Sequence, residues 1–248
     1  MSEEKPFFIG WESKPAPVIS AFTKKATLGL LVASLVVAGL VTAMQGAVSS
    51  GRFEFGNVKD FSGVLIKSPA PMLVSDQEID GEKIFYLVAP LKNGFSAELA
   101  EKHHLQQVSL KGTLIGNDME SMIEVQEDTI VSKGVANATP LEESSGTPVT
   151  IRGEIVDSKC HLGVMNPGRF KPHRACAIQC LSGGIPPILV AQTAEGILAN
   201  YLIVGLDGKA IHEEVIEFAA EPVEVSGTLK TIGDRLVLYI NPETIKRF

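Results

Sequence analysis

The segment Tyr86–Leu114 recurs as Tyr201–Leu229, without a gap, at an offset of 115 residues. Tyr86/Tyr201, Leu87/Leu202, Leu91/Leu206, Glu98/Glu213, Val108/Val223 and the Gly-Thr-Leu triplets at 112–114 and 227–229 are identical pairs. Val88/Ile203 and Leu110/Val225 keep apolar character, and 122–130 resembles 238–245. Self-similarity at a fixed offset constrains the fold more than any single motif, because both copies must solve the same packing problem. The chain of 248 residues is long enough for two small domains.

Each copy reads as three strands, a helix and two strands. In the second, the strands are Thr147–Val156, Ile188–Ala191, Tyr201–Leu206, Val223–Thr231 and Arg235–Ile240, each rich in aliphatic or β-branched residues and bounded by turn signals. Ala210–Ala220 has apolar residues near helical spacing and lies between the third and fourth strands. In the first, the strands are Phe61–Lys67, Met72–Val74, Ile84–Ala89, Val108–Ile115 and Ser121–Val125, with a helix at Ser96–Leu105. This order resembles the OB-fold, a five-stranded Greek-key barrel. A mainly β chain follows: OB-like domains at 52–131 and 147–248, joined by a stretch at 132–146 that reads by composition as a linker.

Residues Ala26–Gly51 carry no charge, and Ala26–Val48 is dominated by Leu, Val, Ala and Gly. About 20 apolar residues suffice to cross the hydrocarbon of a bilayer, and this run is too long for the apolar part of a cleaved signal peptide. A single transmembrane helix at 26–48 therefore follows a polar head at 1–25. Lys24 and Lys25 abut the span on one side and Arg52 lies on the other, so the positive-inside rule puts the head in the cytoplasm and the barrels outside. In a bacterium this is the inner membrane with periplasmic barrels. Small residues such as Gly29, Ala33, Ser34, Ala38 and Gly39 would suit packing against another helix, and equally suit an ordinary span.

Between the first and second strands of the second copy lies an insertion, 159–187, where the first copy has only Lys67–Pro71. All three cysteines of the chain, Cys160, Cys176 and Cys180, fall in it, with His161 and His173. Pro172 suits the first turn of a helix and Gly183-Gly184 its end. On that helix His173, Cys176 and Cys180 stand at i, i+3 and i+7, on one face, and Cys160 could close over them. This gives a Cys3His set spaced C-x12-H-x2-C-x3-C, with His161 as an alternate ligand. Three readings follow: a metal or redox site for zinc, copper or an iron–sulfur cluster; a disulfide from Cys160 to Cys176 or Cys180 with one free thiol; or buried reduced thiols. No C-x2-C-H is present, so attached c-type haem is not expected.

Charge is uneven. The chain has 22 Lys+Arg and 29 Asp+Glu, net −7, which argues against nucleic-acid binding. Yet the stretch 159–180 holds Lys159, Arg169, Lys171 and Arg174 and no acid. Such a loop would lower thiol pKa values, or dock an acidic partner or an anion. Asp157 would pair with one of its cations, or the loop is a solvated surface. Asn137-Ala138-Thr139 fits a glycosylation sequon, His103 and His104 suit a helix end, and His212 a helix surface.

Cys176, Cys180 and a nearby His resemble the copper-ligand arrangement of the Sco family and of the binuclear copper site of cytochrome oxidase. The residue following the second Cys in that pattern is replaced here by Leu181. An anchor followed by a periplasmic OB-like barrel resembles the layout of the haem chaperone of cytochrome c maturation, without its haem-binding His motif. No Ser-His-Asp arrangement, phosphate loop or dinucleotide fingerprint is present. The expected function is a non-catalytic, membrane-anchored accessory or electron-transfer subunit of a respiratory-type complex, in contact with lipid and other membrane subunits. The rivals are a scaffold stapled by a disulfide, a thiol-disulfide oxidoreductase, and a metal or haem chaperone.

Overall fold

Helix α1 (Pro17–Gln45) starts nine residues before the uncharged run, because Pro17 lacks the N–H that a first helical turn leaves unpaired anyway. A computed structural model describes residues 15–45, 51–137, 141–193 and 196–248. The chain forms two compact units, Met1–Ser49 and Ser50–Phe248. The described part of the first is α1, 29 residues long and about 44 Å by helical rise, more than the roughly 30 Å hydrocarbon of a bilayer. Its best window has mean hydropathy 2.2 and none of it is buried, so it is long and apolar enough to cross a membrane. Lys24 and Lys25 lie within the helix, so the head read at 1–25 ends in helix rather than in a loose segment. The expected end of the span, 46–48, lies outside the described residues.

The second unit is two closed five-stranded barrels. The first comprises β2 (Lys59–Ile66), β3 (Met72–Ile79), β4 (Glu82–Val88), β5 (Gln106–Gly116) and β6 (Ser121–Val135), with α2 (Ala97–Lys102) between β4 and β5 and the short β1 (Arg52–Phe53) on the edge of β5. The second comprises β7 (Thr147–Asp157), β8 (Pro187–Gln192), β9 (Leu198–Gly205), β10 (Pro222–Ile232) and β11 (Arg235–Ile240). Its edge strand is β12 (Lys246–Arg247), its inserted helix α3 (Arg174–Ser182), and a short α4 (His212–Val215) precedes β10. In each barrel the first strand pairs with the second and fourth, the fourth with the fifth, and the fifth closes in parallel on the third. The expected order of strands and helix, and its OB-like closure, are therefore present. Ser132–Val135, read as linker, instead extends β6, and Glu143 and Ser144 attach to β10.

Strand register measures the repeat. Leu114 opposes Ile123 as Leu229 opposes Leu238, so the offset of 115 continues into the last strand. In the third strand it does not. Leu73 pairs with Phe85, and its counterpart Leu189 pairs with Tyr201. Phe85 and Tyr201 point into their own barrels, whereas Tyr86 packs in the layer between them. The matched Tyr86/Tyr201 pair thus sits on opposite faces, since a one-residue slip in a strand reverses every side chain. The signal was blurred because β4 and β9 are buried along nearly their whole length, leaving no alternation to read.

The interior of the first barrel is formed by residues such as Phe61, Leu65, Leu73, Leu87 and Ile123, that of the second by Ile155, Leu189, Ile203, Val225 and Leu238. Full burial of each such side chain contributes about 1.5–3 kcal/mol. A third apolar layer lies between the barrels, where Met72, Tyr86, Val88 and Met122 meet Leu202, Val204 and Val237, with Cys160, Leu162, Cys180 and Ile185 of the insertion. Buried Arg235 crosses the same boundary from β11. It donates to the Glu82 carboxylate at 2.6 Å and to the Ile84 carbonyl.

Candidate metal centre

Leu65 pairs with Leu73, eight positions on, whereas Ile155 pairs with Leu189, 34 positions on. The second barrel therefore carries 26 extra residues at this one corner. From the end of β7 the chain makes a turn at Cys160–Val164, loops to the short 3-10 turn Lys171–His173, and enters α3. Pro172 stands at the start of this helical stretch and Gly183 caps its end, as the sequence predicts.

Cys176 and Cys180 lie one turn apart on α3 and face Cys160. The Cys160 Sγ is 3.8 Å from Cys176 Sγ and 3.9 Å from Cys180 Sγ. The thiols are not bridged, and all three sulfurs lie within 4.8 Å of one another. Thiolates at about 2.3 Å from a tetrahedral ion stand about 3.8 Å apart, so these sulfurs already have the spacing of ligands. Cys160 and Cys180 are buried and Cys176 is half-buried. The Cys160 thiol is pushed up, first by its hydrogen bond to Cys180, then by burial and by the Asp157 carboxylate. Cys180 is held down by the same hydrogen bond. The two sulfurs share one hydrogen bond, in which either can donate.

His173 is not the fourth member of this cluster. It is fully buried, and its Nε2 bonds Asp157 Oδ2 at 2.7 Å. The other oxygen of Asp157 accepts the Cys160 N–H at 2.8 Å. Asp157 therefore stitches the end of β7 to the start of α3 and so holds Cys160 against the helix cysteines. Asp157, Cys160 and His173 form a second potential donor group that shares Cys160. His173 Nδ1 is buried without a hydrogen-bond partner among the described residues. His161 faces elsewhere. Its Nε2 meets Asn200 Oδ1 at 3.1 Å, and Asn200 in turn donates to Glu120. Burial, and then Arg169, lower the His161 pKa to about 4.

The basic island does not surround the thiols. Lys159 is buried, with its Nζ 2.5 Å from Glu124 and donating to the carbonyls of Ala89 and Leu91, so it ties the insertion to the first barrel and is closed to an outside partner. Arg174 pairs with Glu221 at 2.5 Å and donates to the Ala219 and Glu217 carbonyls. Arg169 covers the ring of exposed Phe170, and Lys171 is exposed, so these two alone remain open to docking. Asp157 pairs with His173 rather than with any of the four cations.

The cation at the sulfurs comes from the first barrel. Lys92 Nζ lies 3.0 Å from Cys176 Sγ, and this contact raises the lysine pKa. Lys92 is brought there by contact between backbones: Gly94 N–H donates to the Gly183 carbonyl at 2.8 Å. A Cβ on Gly183 would stand 1.8 Å from the Lys92 carbonyl, and one on Gly94 would stand 2.1 Å from that of Gly184. No motif marks Lys92 in the sequence. A cavity of about 580 Å³ opens over the cysteines, walled by Leu91, Lys92, Asn93, Lys159, Val164 and Met165.

Among the remaining histidines, His103 caps α2 and His104 Nδ1 accepts the Lys67 N–H. His212 is half-buried at the start of α4, and part of the Asn137 sequon lies outside the described residues. Fold and site together define a chain whose described residues hold one membrane-length helix, two OB-like barrels and a three-thiol cluster that could hold a metal. Comparison with protein-family models, curated proteins and solved structures finds no match.

Proposed function

We propose that this chain is a membrane-anchored accessory subunit that holds a metal at Cys160, Cys176 and Cys180 and serves a membrane electron-transfer assembly. The observation that carries the reading is the convergence of three unbridged thiols at ligand spacing under an open, largely apolar cavity. Bare thiols need no such opening. Apolar walls around a thiolate site set its redox properties by controlling solvent access.

The anchor is α1, its head cytoplasmic and its barrels on the outer, periplasmic face of a bacterial inner membrane. The lysine pair Lys24-Lys25 supports that orientation. The side chains of α1 in its apolar window are exposed, as suits contact with lipid and with a neighbouring membrane subunit. The protein's role is to position and shield the centre, with no substrate turned over.

Elemental analysis of the full chain purified in detergent tests the reading. One metal per chain is expected, lost on replacing Cys176 or Cys180 with Ser. A metal-free protein in which peptide mapping finds a disulfide from Cys160 would replace it with a stapled scaffold.

A further inference from the structure

The potential ligand atoms that converge at the cavity are the three thiol sulfurs. Structural zinc takes four protein ligands. The imidazole nearest the cluster, His173, is engaged with Asp157 at 2.7 Å, both side chains fully buried. Turning that ring to the sulfurs would leave a buried carboxylate without its partner, which is strongly unfavourable. Neither carboxylate nor imidazole is among the described residues that wall the cavity. Its mouth carries Leu91 and Met165, 82% and 43% exposed. Such a wall disfavours a strongly hydrated ion, whereas thiolates select soft ones, copper(I) foremost.

Charge points the same way. Three thiolates around a monovalent ion leave net negative charge in apolar surroundings, and Lys92 places an ammonium 3.0 Å from Cys176. Because Lys92 belongs to the first barrel, the site is complete only while the Gly94–Gly183 contact holds the barrels together.

We propose that the cluster is a three-coordinate copper(I) site, with Cys160, Cys176 and Cys180 as ligands, Lys92 as charge partner, and the mouth between Leu91 and Met165 as the ion's way in and out. The proposal rests on the metal-centre reading above and names its metal. Each thiol that binds releases its proton to water, copper stays in the +1 state throughout, and Lys92 keeps its proton. The chain then carries copper for the assembly it serves.

The test is titration of the reduced full chain in detergent, under anaerobic conditions, with copper(I) supplied as its bicinchoninate complex. Zinc(II) is titrated in parallel against a chromogenic chelator. One copper(I) per chain is expected, with an X-ray absorption shell of three sulfurs and no nitrogen. Zinc(II) should bind at least about 100-fold more weakly, as soft thiolates prefer copper. Cys176→Ser, at a half-exposed position, should abolish copper(I) binding with unchanged circular dichroism. Lys92→Met should keep the stoichiometry and lower affinity by about tenfold, the loss of one charge-assisted contact. Preferred zinc(II) binding, or a nitrogen in the copper shell, overturns the copper site and leaves the metal centre standing. Binding of neither ion overturns both.

Discussion

The two barrels share one topology and differ at one corner. In the first, β2 passes to β3 through Lys67–Pro71, and that corner carries no candidate ligand. In the second, the same corner holds 26 further residues, every cysteine of the chain and the fully buried Asp157–His173 pair. A closed barrel tolerates this because its ladder hydrogen bonds are satisfied around the ring, and loops at its ends are free to vary. The duplication adds a further freedom. One copy supplies the three thiols while the other supplies a wall and a charge, through Leu91 and Lys92. A single barrel with the same insertion would leave Lys159 without Glu124 and Cys176 without its ammonium.

The sharpest break in the comparison lies at one equivalent position. Val156 opposes Ile188 as Ile66 opposes Met72, so Asp157 and Lys67 occupy the same place in the two barrels. Asp157 is fully buried between His173 and the Cys160 N–H, whereas Lys67 makes a surface pair with Glu101. Asp157→Ala should therefore cost about 3–5 kcal/mol, the usual effect of breaking a buried pair. Lys67→Ala should cost less than about 1 kcal/mol. Denaturant unfolding of the full chain measures both. Equal effects would mean that the corner contributes no more to stability in one barrel than in the other.

Acid should strike the insertion next. His161 has a folded pKa of about 4, below its ordinary value of about 6.5, because burial disfavours its charge. Between those values the unfolded chain binds a proton that the folded chain does not. Stability is thus lost as pH falls from about 6.5 to about 4, by up to about 3 kcal/mol, and this contribution is flat below. His161→Gln keeps an amide opposite Asn200 and removes the titration, so its stability profile should be shallower across that window. A profile parallel to that of the parent would show that His161 is not the group responsible.

The contact between barrels comes third. Gly183 has an ordinary helical φ of −80°, so alanine there meets no backbone strain, only the Lys92 carbonyl at 1.8 Å from its Cβ. Gly183→Ala should cost about 1–3 kcal/mol, as overpacking does. It should also draw Lys92 away from Cys176 and speed alkylation of that thiol at high pH, where the lysine contact no longer shields it. Unchanged stability with unchanged alkylation would mean that the two loops part freely.

Much of this was legible in the sequence. The repeat and the turn signals carried the order of strands, and Pro172 and Gly183 bracketed α3, because these features act through neighbours in the chain. The helical spacing of Cys176 and Cys180 placed both on one face. What escaped depends on distant partners. Lys92 meets Cys176 across 84 residues. Lys159 reads as a solvated cation until Glu124 and two carbonyls of the other barrel close over it. His173 has the right spacing to join the cysteines, and yet a buried carboxylate 16 positions away outcompetes them for its ring. The slip in the third strand escaped for a different reason: a strand apolar on both faces carries no period of two.

The smallest effects are expected at Arg169 and Lys171, the two cations of the island that make no ion pair among the described residues, unlike Lys159 and Arg174. Arg169 lies 4.6 Å over the Phe170 ring, and Lys171 is exposed. Replacing either with Ala should change stability by no more than about 0.5 kcal/mol, as at most surface positions. On the proposed role as a subunit, their loss would instead weaken attachment of an acidic neighbour, and more so at low ionic strength, where exposed charges are least screened. Arg152 is a fair control, since it is exposed but paired with Glu224 on the barrel wall. If Arg169→Ala and Lys171→Ala leave recovery of the neighbouring subunit in detergent extracts at the level of Arg152→Ala, at low and high salt alike, the island is a solvated surface. On the proposed role, the insertion would then meet a neighbouring subunit through the mouth over the cysteines.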